Sequence, residues 1–244
     1  MTPTIRMAAD PAGAAAAAAK AVLDVVRAAI AEHGSATVAL AGGGTPALLY
    51  RNLAMRGGGG ARWDRVEFFF GDERCVPPRS PDSNFLLAKE ALFTPLGIEP
   101  ARVHRIEGEV EPPAEAAERY AGTLRRHFGV EVPRLDLVLL GMGVDGHTAS
   151  LFPGSAALLE KSRWVVAVQA PSGIRPVDRV TLTLPLLNRA NTVLFLVSGE
   201  AKQPAVAAVL GDGRADTQLP AARVSPQGRL LWFLDRAAAG RLCP

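Results

Sequence analysis

Residues 135–154 read LDLVLLGMGVDGHTASLFPG, and this stretch indicates the fold class. The segment Leu135–Leu140 is apolar except for Asp136, a pattern typical of a strand that is buried on both faces of a parallel sheet. It changes abruptly into a glycine-rich loop that carries Asp145 and His147. Because open α/β sheets bind ligands beyond the carboxyl ends of their strands, we expect a carboxylate and an imidazole at a ligand-binding edge.

The same order of strand, loop and helix recurs along the chain. Apolar runs predict strands at 37–41, 66–70, 103–106, 135–140, 164–168, 180–184, 191–197 and 230–234. Periodic or capped segments predict helices at 10–32, 45–53, 82–93, 112–128, 203–210 and 236–241. This alternation predicts an α/β fold with a mainly parallel, twisted sheet and helices on both faces, in a single domain over residues 1–244. The strand-end loops should then converge at one edge, at 42–45, 71–74, 141–147 and 198–202.

Composition narrows the classes of partner. The 244 residues carry 27 Lys and Arg against 24 Asp and Glu, so the net charge is +3. A mild positive excess without Lys/Arg runs favours a small anionic ligand over nucleic acid. The sequence contains no signal-peptide pattern and no apolar run of bilayer-spanning length, and Cys75 and Cys243 have no metal-like spacing. We therefore expect a cytoplasmic protein without a membrane partner, and a monomer because no apolar stripe is evident.

A second glycine-rich loop follows the predicted strand 37–41. Gly43, Gly44 and Thr45 precede Pro46, a residue that fits the first turn of a helix. Backbone N–H groups at such a helix start can bind a phosphate, although a tight turn needs the same glycines. The glycines alone leave both interpretations open. The loop is not a P-loop, since no Lys-Ser/Thr follows at the required spacing.

The segment 141–146 matches the dinucleotide-binding pattern G-x-G-x-x-G. The next predicted strand ends in Gln169-Ala170-Pro171, without the acidic residue that would bind a ribose. His147 also stands where a pyrophosphate-binding loop enters its helix. We therefore disfavour a dinucleotide.

Five segments occur in an order and spacing that resemble a known enzyme family. They are LAGGGTP (40–46), GDERCVPPRSPDSNF (71–85), LLGMGVDGHTASLFPG (139–154), RVTLTLPLLNRA (179–190) and SGEAK (198–202). Together they resemble the 6-phosphogluconolactonases of the glucosamine-6-phosphate isomerase/6-phosphogluconolactonase family, over about residues 8–235. The resemblance implies a Rossmann-like three-layer fold of the sugar-phosphate isomerase type. It also implies hydrolysis of 6-phospho-D-glucono-1,5-lactone to 6-phospho-D-gluconate, in the oxidative pentose phosphate pathway.

Two alternatives remain. Glucosamine-6-phosphate deaminase/isomerase shares the turn around His147, but there the following segment supplies a catalytic Glu, whereas this chain has no acid after His147 before Glu160. A catalytically silent sugar-phosphate sensor is a second possibility. The intact Asp145 and His147 argue against it, as does the lack of an appended DNA-binding segment.

The resemblance and the chemistry together assign catalytic roles. Opening a lactone needs a base for water and then an acid for the leaving alkoxide, and His147 suits both steps. Asp145 either orients the imidazole or bonds its own turn. Arg74 is expected to stabilise the developing oxyanion or to contact the substrate, unless it pairs with Asp72 or Glu73.

Binding residues follow from the charge of the substrate. The candidates for the phosphate are Gly43, Gly44 and Thr45 with Arg179 and Lys202, since Arg offers a bidentate fork and Lys a point charge. Arg175 competes with Arg179 for this role. Asp72 is expected either to hold Arg74 or to contact the sugar. No metal or cofactor is expected. The G-x-S-x-G elbow of a Ser-His-Asp site is absent from the sequence. We assign no role to Cys75 or to the remaining histidines, His33, His104 and His127.

Overall fold

The computed structural model describes residues 2–55, 60–129, 131–211 and 218–242. Its strands are β1 (Thr4–Ala8), β2 (Ala36–Leu40), β3 (Val66–Phe70), β4 (Asp72–Arg74), β5 (Leu137–Leu140), β6 (Val165–Gln169), β7 (Asp178–Leu182), β8 (Thr192–Val197) and β9 (Arg229–Asp235). Its α-helices are α1 (Pro11–His33), α2 (Gly44–Met55), α3 (Asn84–Ala88), α4 (Thr94–Leu96), α5 (Pro113–Phe128), α6 (Leu184–Leu187), α7 (Gln203–Leu210) and α8 (Arg236–Ala239).

Six strands form one parallel sheet in the order β1-β9-β8-β5-β2-β3. The central strands β2, β5 and β8 are buried along their whole length, as continuous apolar runs predict for a parallel sheet that is covered on both faces. The expected α/β fold with a mainly parallel sheet is therefore confirmed. The two-residue pairing between β2 and β5 brings the loop after residue 140 beside the glycine loop after residue 40.

The second sheet corrects the prediction. The segment 71–74 was expected as a loop, but Asp72–Arg74 forms β4, which pairs antiparallel with β7 and through it with β6. The polar letters of β4 suggest solvent, yet Asp72 and Glu73 are buried and hydrogen-bonded inside the protein. The predicted strands 164–168 and 180–184 therefore exist as β6 and β7, outside the parallel sheet.

Smaller differences concern segment ends. Strand β1 has no counterpart among the predicted strands. The strand predicted at 103–106 is wrong, since only Val103 forms an isolated bridge with Phe68. The helix predicted at 82–93 begins after the cap Ser83 and continues through a π-helical turn at Lys89–Phe93. The Ser83 hydroxyl caps this helix by accepting from the Leu86 N–H.

Helix α1 has the ends that its sequence predicts. Asp10 Oδ1 accepts from the Gly13 N–H at 2.7 Å, and Gly34 ends the helix with a positive φ of 86°. The alanine-rich face of α1 is buried against the sheet. Small side chains allow that close approach. None of the helices in the described ranges combines the length and the apolar character needed to cross a bilayer.

Two buried tyrosines hold the strand ends that lead into the candidate site. The Tyr50 hydroxyl accepts from the Ala41 N–H and donates to the Ala41 carbonyl, directly after β2. The Tyr120 hydroxyl does the same for Phe70 at the end of β3. These bonds satisfy backbone groups at the points where the sheet ladder ends, so both loops leave the sheet in a defined direction.

Candidate active site

A cavity of about 220 Å³ lies at the carboxyl ends of the parallel strands. It is lined by residues 41–46 after β2, by Asp72 and Arg74 of β4, by the loop after β5, and by residues 196–198 at the end of β8. Arg179 of β7 and Lys202 complete the wall. The four segments that follow β2, β3, β5 and β8 thus meet in one place, because parallel strands present their carboxyl ends at the same edge.

The loop after β5 presents an imidazole that is paired with a carboxylate. His147 lines the cavity, and its Nδ1 lies 2.5 Å from Asp145 Oδ1. A carboxylate only accepts hydrogen bonds, so Nδ1 is the donor in this contact, and in the neutral imidazole the lone pair is then on Nε2. The same Asp145 oxygen accepts from the His147 N–H at 3.2 Å, and Phe152 packs on the ring at 4.8 Å between centroids. Asp145 therefore orients the imidazole as well as bonding its own turn.

Two glycines make this pairing possible. A Cβ on Gly143 would lie 2.1 Å from His147 Nδ1 and 2.4 Å from Asp145 Oδ1, so no other residue fits beneath the pair. Gly146 adopts a φ of +76°, which favours glycine. The Gly143 N–H donates to the His147 carbonyl and closes the turn. The pattern that matches a dinucleotide motif thus serves to place an imidazole.

Two arginines stand side by side at the cavity. Arg74 and Arg179 are direct cross-strand neighbours in β4 and β7, and Arg179 is only 5% exposed. Burial lowers the pKa of Arg179 from its usual range, and the charge of Arg74 lowers it further, against an opposite effect of Asp72. Within the described ranges neither guanidinium is in an ion pair; Arg74 Nη1 donates to the Asp82 carbonyl and Arg179 Nε to the Pro176 carbonyl. Like charges placed opposite each other are destabilising, and a bound anion would relieve this.

Lys202 and the start of α2 add positive potential. Burial lowers the pKa of Lys202 from its ordinary value, while the nearby Asp145 acts in the opposite direction. Helix α2 begins at Gly44, and its first turn lines the cavity, so Thr45 lies inside the helix and is not its cap. Free N–H groups at a helix N-terminus and the helix dipole both favour an anion.

Asp72 has partners that the sequence did not indicate. Its Oδ2 accepts from the Ser150 hydroxyl at 2.6 Å, and its Oδ1 accepts from Asn84 Nδ2 at 3.2 Å. Glu73 instead bonds the Ser83 hydroxyl and the N–H groups of Arg74, Asn84 and Phe85, and burial raises its pKa. The alternative in which Arg74 pairs with either acid is therefore wrong for this structure, because both carboxylates are engaged elsewhere.

The structure brings the predicted residues together with one exception. Arg175 is exposed and does not line the cavity, whereas Arg179 does. The predicted residues that line the cavity are Gly43, Gly44, Thr45, Asp72, Arg74, His147, Arg179 and Lys202. Asp145 lies behind His147. Cys75 is half-buried, and burial raises the pKa of its thiol to about 11, so it is protonated at neutral pH.

Three side chains that the sequence did not indicate also shape the site. Asn84 and Ser150 hold Asp72, and Phe152 packs on His147 while also lying under the Arg179 guanidinium at 5.7 Å. Each lies inside a segment that carries the family resemblance. Their roles depend on contacts with residues that are distant in sequence, such as Ser150 with Asp72, 78 residues away. Motif spacing does not reveal such contacts.

Comparison with known proteins gives the family. The model described as glucosamine-6-phosphate isomerases/6-phosphogluconolactonase matches residues 9–232. A 6-phosphogluconolactonase from Synechocystis sp. is 41% identical over 219 residues, covering 88% of each chain. The 6-phosphogluconolactonase of Homo sapiens is 43% identical over 204 residues, covering 82% of this chain and 78% of its own.

A solved structure agrees. The 6-phosphogluconolactonase from Trypanosoma cruzi superposes with a TM-score of 0.88 at 29% identity, covering 100% of this chain and 99% of that chain. Likeness at these levels extends over the sheet, the strand-end loops and the sequence segments that carry the cavity. The chain belongs to the glucosamine-6-phosphate isomerase/6-phosphogluconolactonase family.

Proposed function

We propose that this chain hydrolyses 6-phospho-D-glucono-1,5-lactone to 6-phospho-D-gluconate, the lactonase step of the oxidative pentose phosphate pathway. The observation that carries the proposal is an imidazole with a free Nε2, held by a carboxylate and facing a cavity with three cations that have no ion-pair partner among the described residues. A base beside unneutralised positive charge suits an anionic substrate that reacts with water.

The first step is the attack of water on the lactone carbonyl carbon. His147 Nε2 takes one proton from the water as the C–O bond forms, and the carbonyl oxygen becomes an oxyanion. Asp145 stabilises the imidazolium through Nδ1–H, at the 2.5 Å contact described above. Arg74 is the group that we assign to the oxyanion, because its Nε is buried without a hydrogen-bond partner beside the cavity.

The second step is the collapse of the tetrahedral intermediate. The bond from the carbonyl carbon to the ring oxygen breaks, and the imidazolium returns its proton to that leaving oxygen. Water and the lactone are thereby converted into the acid, which ionises to 6-phospho-D-gluconate. One group thus acts as base and then as acid.

The phosphate is assigned to the other side of the cavity. Arg179 offers a bidentate fork, Lys202 a point charge, and Gly43, Gly44 and Thr45 the N–H groups of the α2 start. Asp72 is held by Ser150 and Asn84, which leaves it suited to accept from a sugar hydroxyl at the cavity wall. This division separates the binding groups from the reacting groups.

We further propose that the chain is a cytoplasmic monomer with a single domain over residues 1–244. Its hydrolysis of the lactone requires no nucleic acid, membrane, metal or cofactor. The net charge of +3 without a basic run supports a small anionic ligand. Gel filtration with light scattering tests the oligomeric state.

The experiment that tests the function follows acid release from lactone generated in situ, above the spontaneous rate. The wild type should accelerate hydrolysis, and His147→Ala should lose about 100- to 10,000-fold in kcat, as expected for a general base. His33→Ala is the matched control, because His33 bonds Asp136 outside the cavity. Absence of acceleration by the wild type, or release of ammonia from glucosamine 6-phosphate at a comparable rate, would contradict the lactonase assignment.

A further inference from the structure

A Glu–His–His cluster lies beside β3, the edge strand of the parallel sheet, and none of its members lines the catalytic cavity. Its members, here called the edge cluster, are Glu67, His104 and His127. Glu67 belongs to β3, His104 to the segment beside it, and His127 to the last turn of α5. His104 follows Glu67 by 37 residues, and His127 follows His104 by 23 residues, so no local motif indicates the cluster.

The side chains of the edge cluster converge on one point. One ligand atom from each residue can be chosen so that all three atoms lie within 4.8 Å of one another. His104 Nε2 lies 2.8 Å from Glu67 Oε2, and the two imidazole centroids are 5.4 Å apart. Nitrogen and oxygen ligands of a tetrahedral Zn²⁺ ion lie about 3.3 Å apart, given bond lengths of about 2.0–2.1 Å. The longest separation therefore has to close by about 1.5 Å, which the exposed His127 side chain can accommodate.

The surroundings of the edge cluster resemble those of a metal site. Arg102 Nη1 bonds the other Glu67 oxygen, Oε1, which orients the carboxylate and leaves Oε2 toward the imidazoles. Phe69 contacts both rings, stacked on His104 at 4.6 Å and edge-on to His127 at 5.1 Å, and forms an apolar floor. Neighbouring side chains thus hold the carboxylate and both imidazole rings in place.

We propose that the edge cluster binds one Zn²⁺ ion through Glu67 Oε2 and one ring nitrogen each of His104 and His127, with water as the fourth ligand. Two imidazoles and a carboxylate are ligands that Zn²⁺ accepts. The Arg102 charge opposes a cation, and the described residues offer no fourth protein ligand. Both features set the expected affinity in the micromolar range, weaker than that of a four-ligand structural site.

The ion would connect three segments that are separate in sequence. It would link the edge strand β3, the segment that follows the 3₁₀ turn at Pro100–Arg102, and the C-terminal end of α5. The ligands lie outside the cavity, so the ion serves stability and has no part in lactone hydrolysis. The proposal is independent of the proposed function.

The test is Zn²⁺ titration by calorimetry of tag-free, chelator-stripped protein at neutral pH. We expect one equivalent with micromolar affinity, and a melting temperature higher by roughly 5–10 °C at a hundredfold excess over Kd. His127→Ala should weaken Zn²⁺ binding about tenfold or more. Alanine is favourable at an exposed helical position, so this variant should keep the fold, which circular dichroism verifies. Glu67→Gln, which keeps the side-chain shape, should have the same effect. His33→Ala is the matched control and should bind as the wild type does.

Titration with Co²⁺ gives a second readout, since its visible absorption reports the coordination number. Wild-type protein should give the spectrum of a four-coordinate ion with nitrogen and oxygen ligands, and His127→Ala should lose it. Three results would overturn the proposal: no bound Zn²⁺ in the wild type, undiminished binding in His127→Ala, or binding lost in His147→Ala and kept in His127→Ala. The last result would assign the ion to the catalytic cavity.

Discussion

A methyl group on Gly143 would test where the reacting imidazole must lie. In Gly143→Ala the new Cβ would stand 2.1 Å from His147 Nδ1, 2.2 Å from Cε1, and 2.4 Å from Asp145 Oδ1, distances that packed atoms do not adopt. The ring must therefore move by about 1 Å or more. A displacement of this size at a reacting group costs about 100-fold in rate, or about 2.7 kcal/mol of transition-state stabilisation. We expect that loss in kcat/KM for the lactone.

Gly141→Ala provides the control within the same loop. A Cβ on Gly141 meets nothing within 4 Å, and neither glycine has a positive φ, so the backbone accepts alanine at both positions. Gly141 also lines the cavity, so Gly141→Ala adds a methyl group to the same loop without displacing the imidazole, and it should cost less than about tenfold in kcat/KM. The assay is acid release from lactone formed in situ, with thermal melting to verify that both variants fold.

A double variant isolates the cause. In a His147→Ala background, Gly143→Ala should cost nothing further, because the ring that the methyl group displaces is absent. Wild-type kcat/KM in Gly143→Ala would refute the placement of the imidazole. An undiminished 100-fold loss in the His147→Ala background would refute it as well, since the loss would then have another origin.

Four further predictions follow from the site. Asp145→Asn should lower kcat by at least about tenfold in steady-state assays, because an amide no longer holds the imidazole in one tautomer. Arg179→Met should raise KM for the phosphorylated lactone and leave turnover of unphosphorylated glucono-1,5-lactone nearly unchanged. Because burial lowers the pKa of Lys202, its charge is lost at a lower pH than that of an exposed lysine. KM for the phosphorylated lactone should therefore rise as alkaline pH removes this charge. Lys202→Arg, which stays charged, should remove the rise. Tyr50→Phe leaves the backbone N–H and C=O at the end of β2 without their partner, and should cost about 1–3 kcal/mol in denaturant unfolding.

The sequence indicated the main sheet because its signals are local. Leu137–Leu140 and Thr192–Val197 are continuous apolar runs, and only a strand covered on both faces needs that composition. Asp10, Pro11 and Gly34 marked the ends of α1 through capping chemistry that acts within one turn. The loops that follow the strands could be placed at one edge from the parallel order alone.

The sequence could not indicate the antiparallel sheet or the partners of buried acids. The sequence of Asp72–Arg74 is typical of a solvated loop. A polar residue can be buried when it has hydrogen-bond partners, and the sequence does not show which residues those partners are. The choice between Arg175 and Arg179 was open for the same reason. Four residues apart, the two have the same chemistry, and only the register of β7 with β4 brings Arg179 to the cavity.

By itself, then, the sequence determined the α/β class, the family resemblance and the candidates for the site, through periodicity, capping and motif spacing. The tertiary structure alone decided that Asp145 bonds His147 Nδ1, and that Arg74 and Arg179 stand together. It also brought Glu67 and His104 together with His127 at the sheet edge. The physical reason is that burial and helix ends are encoded over a few neighbouring residues, whereas side-chain contacts between distant segments depend on the packing of the whole chain.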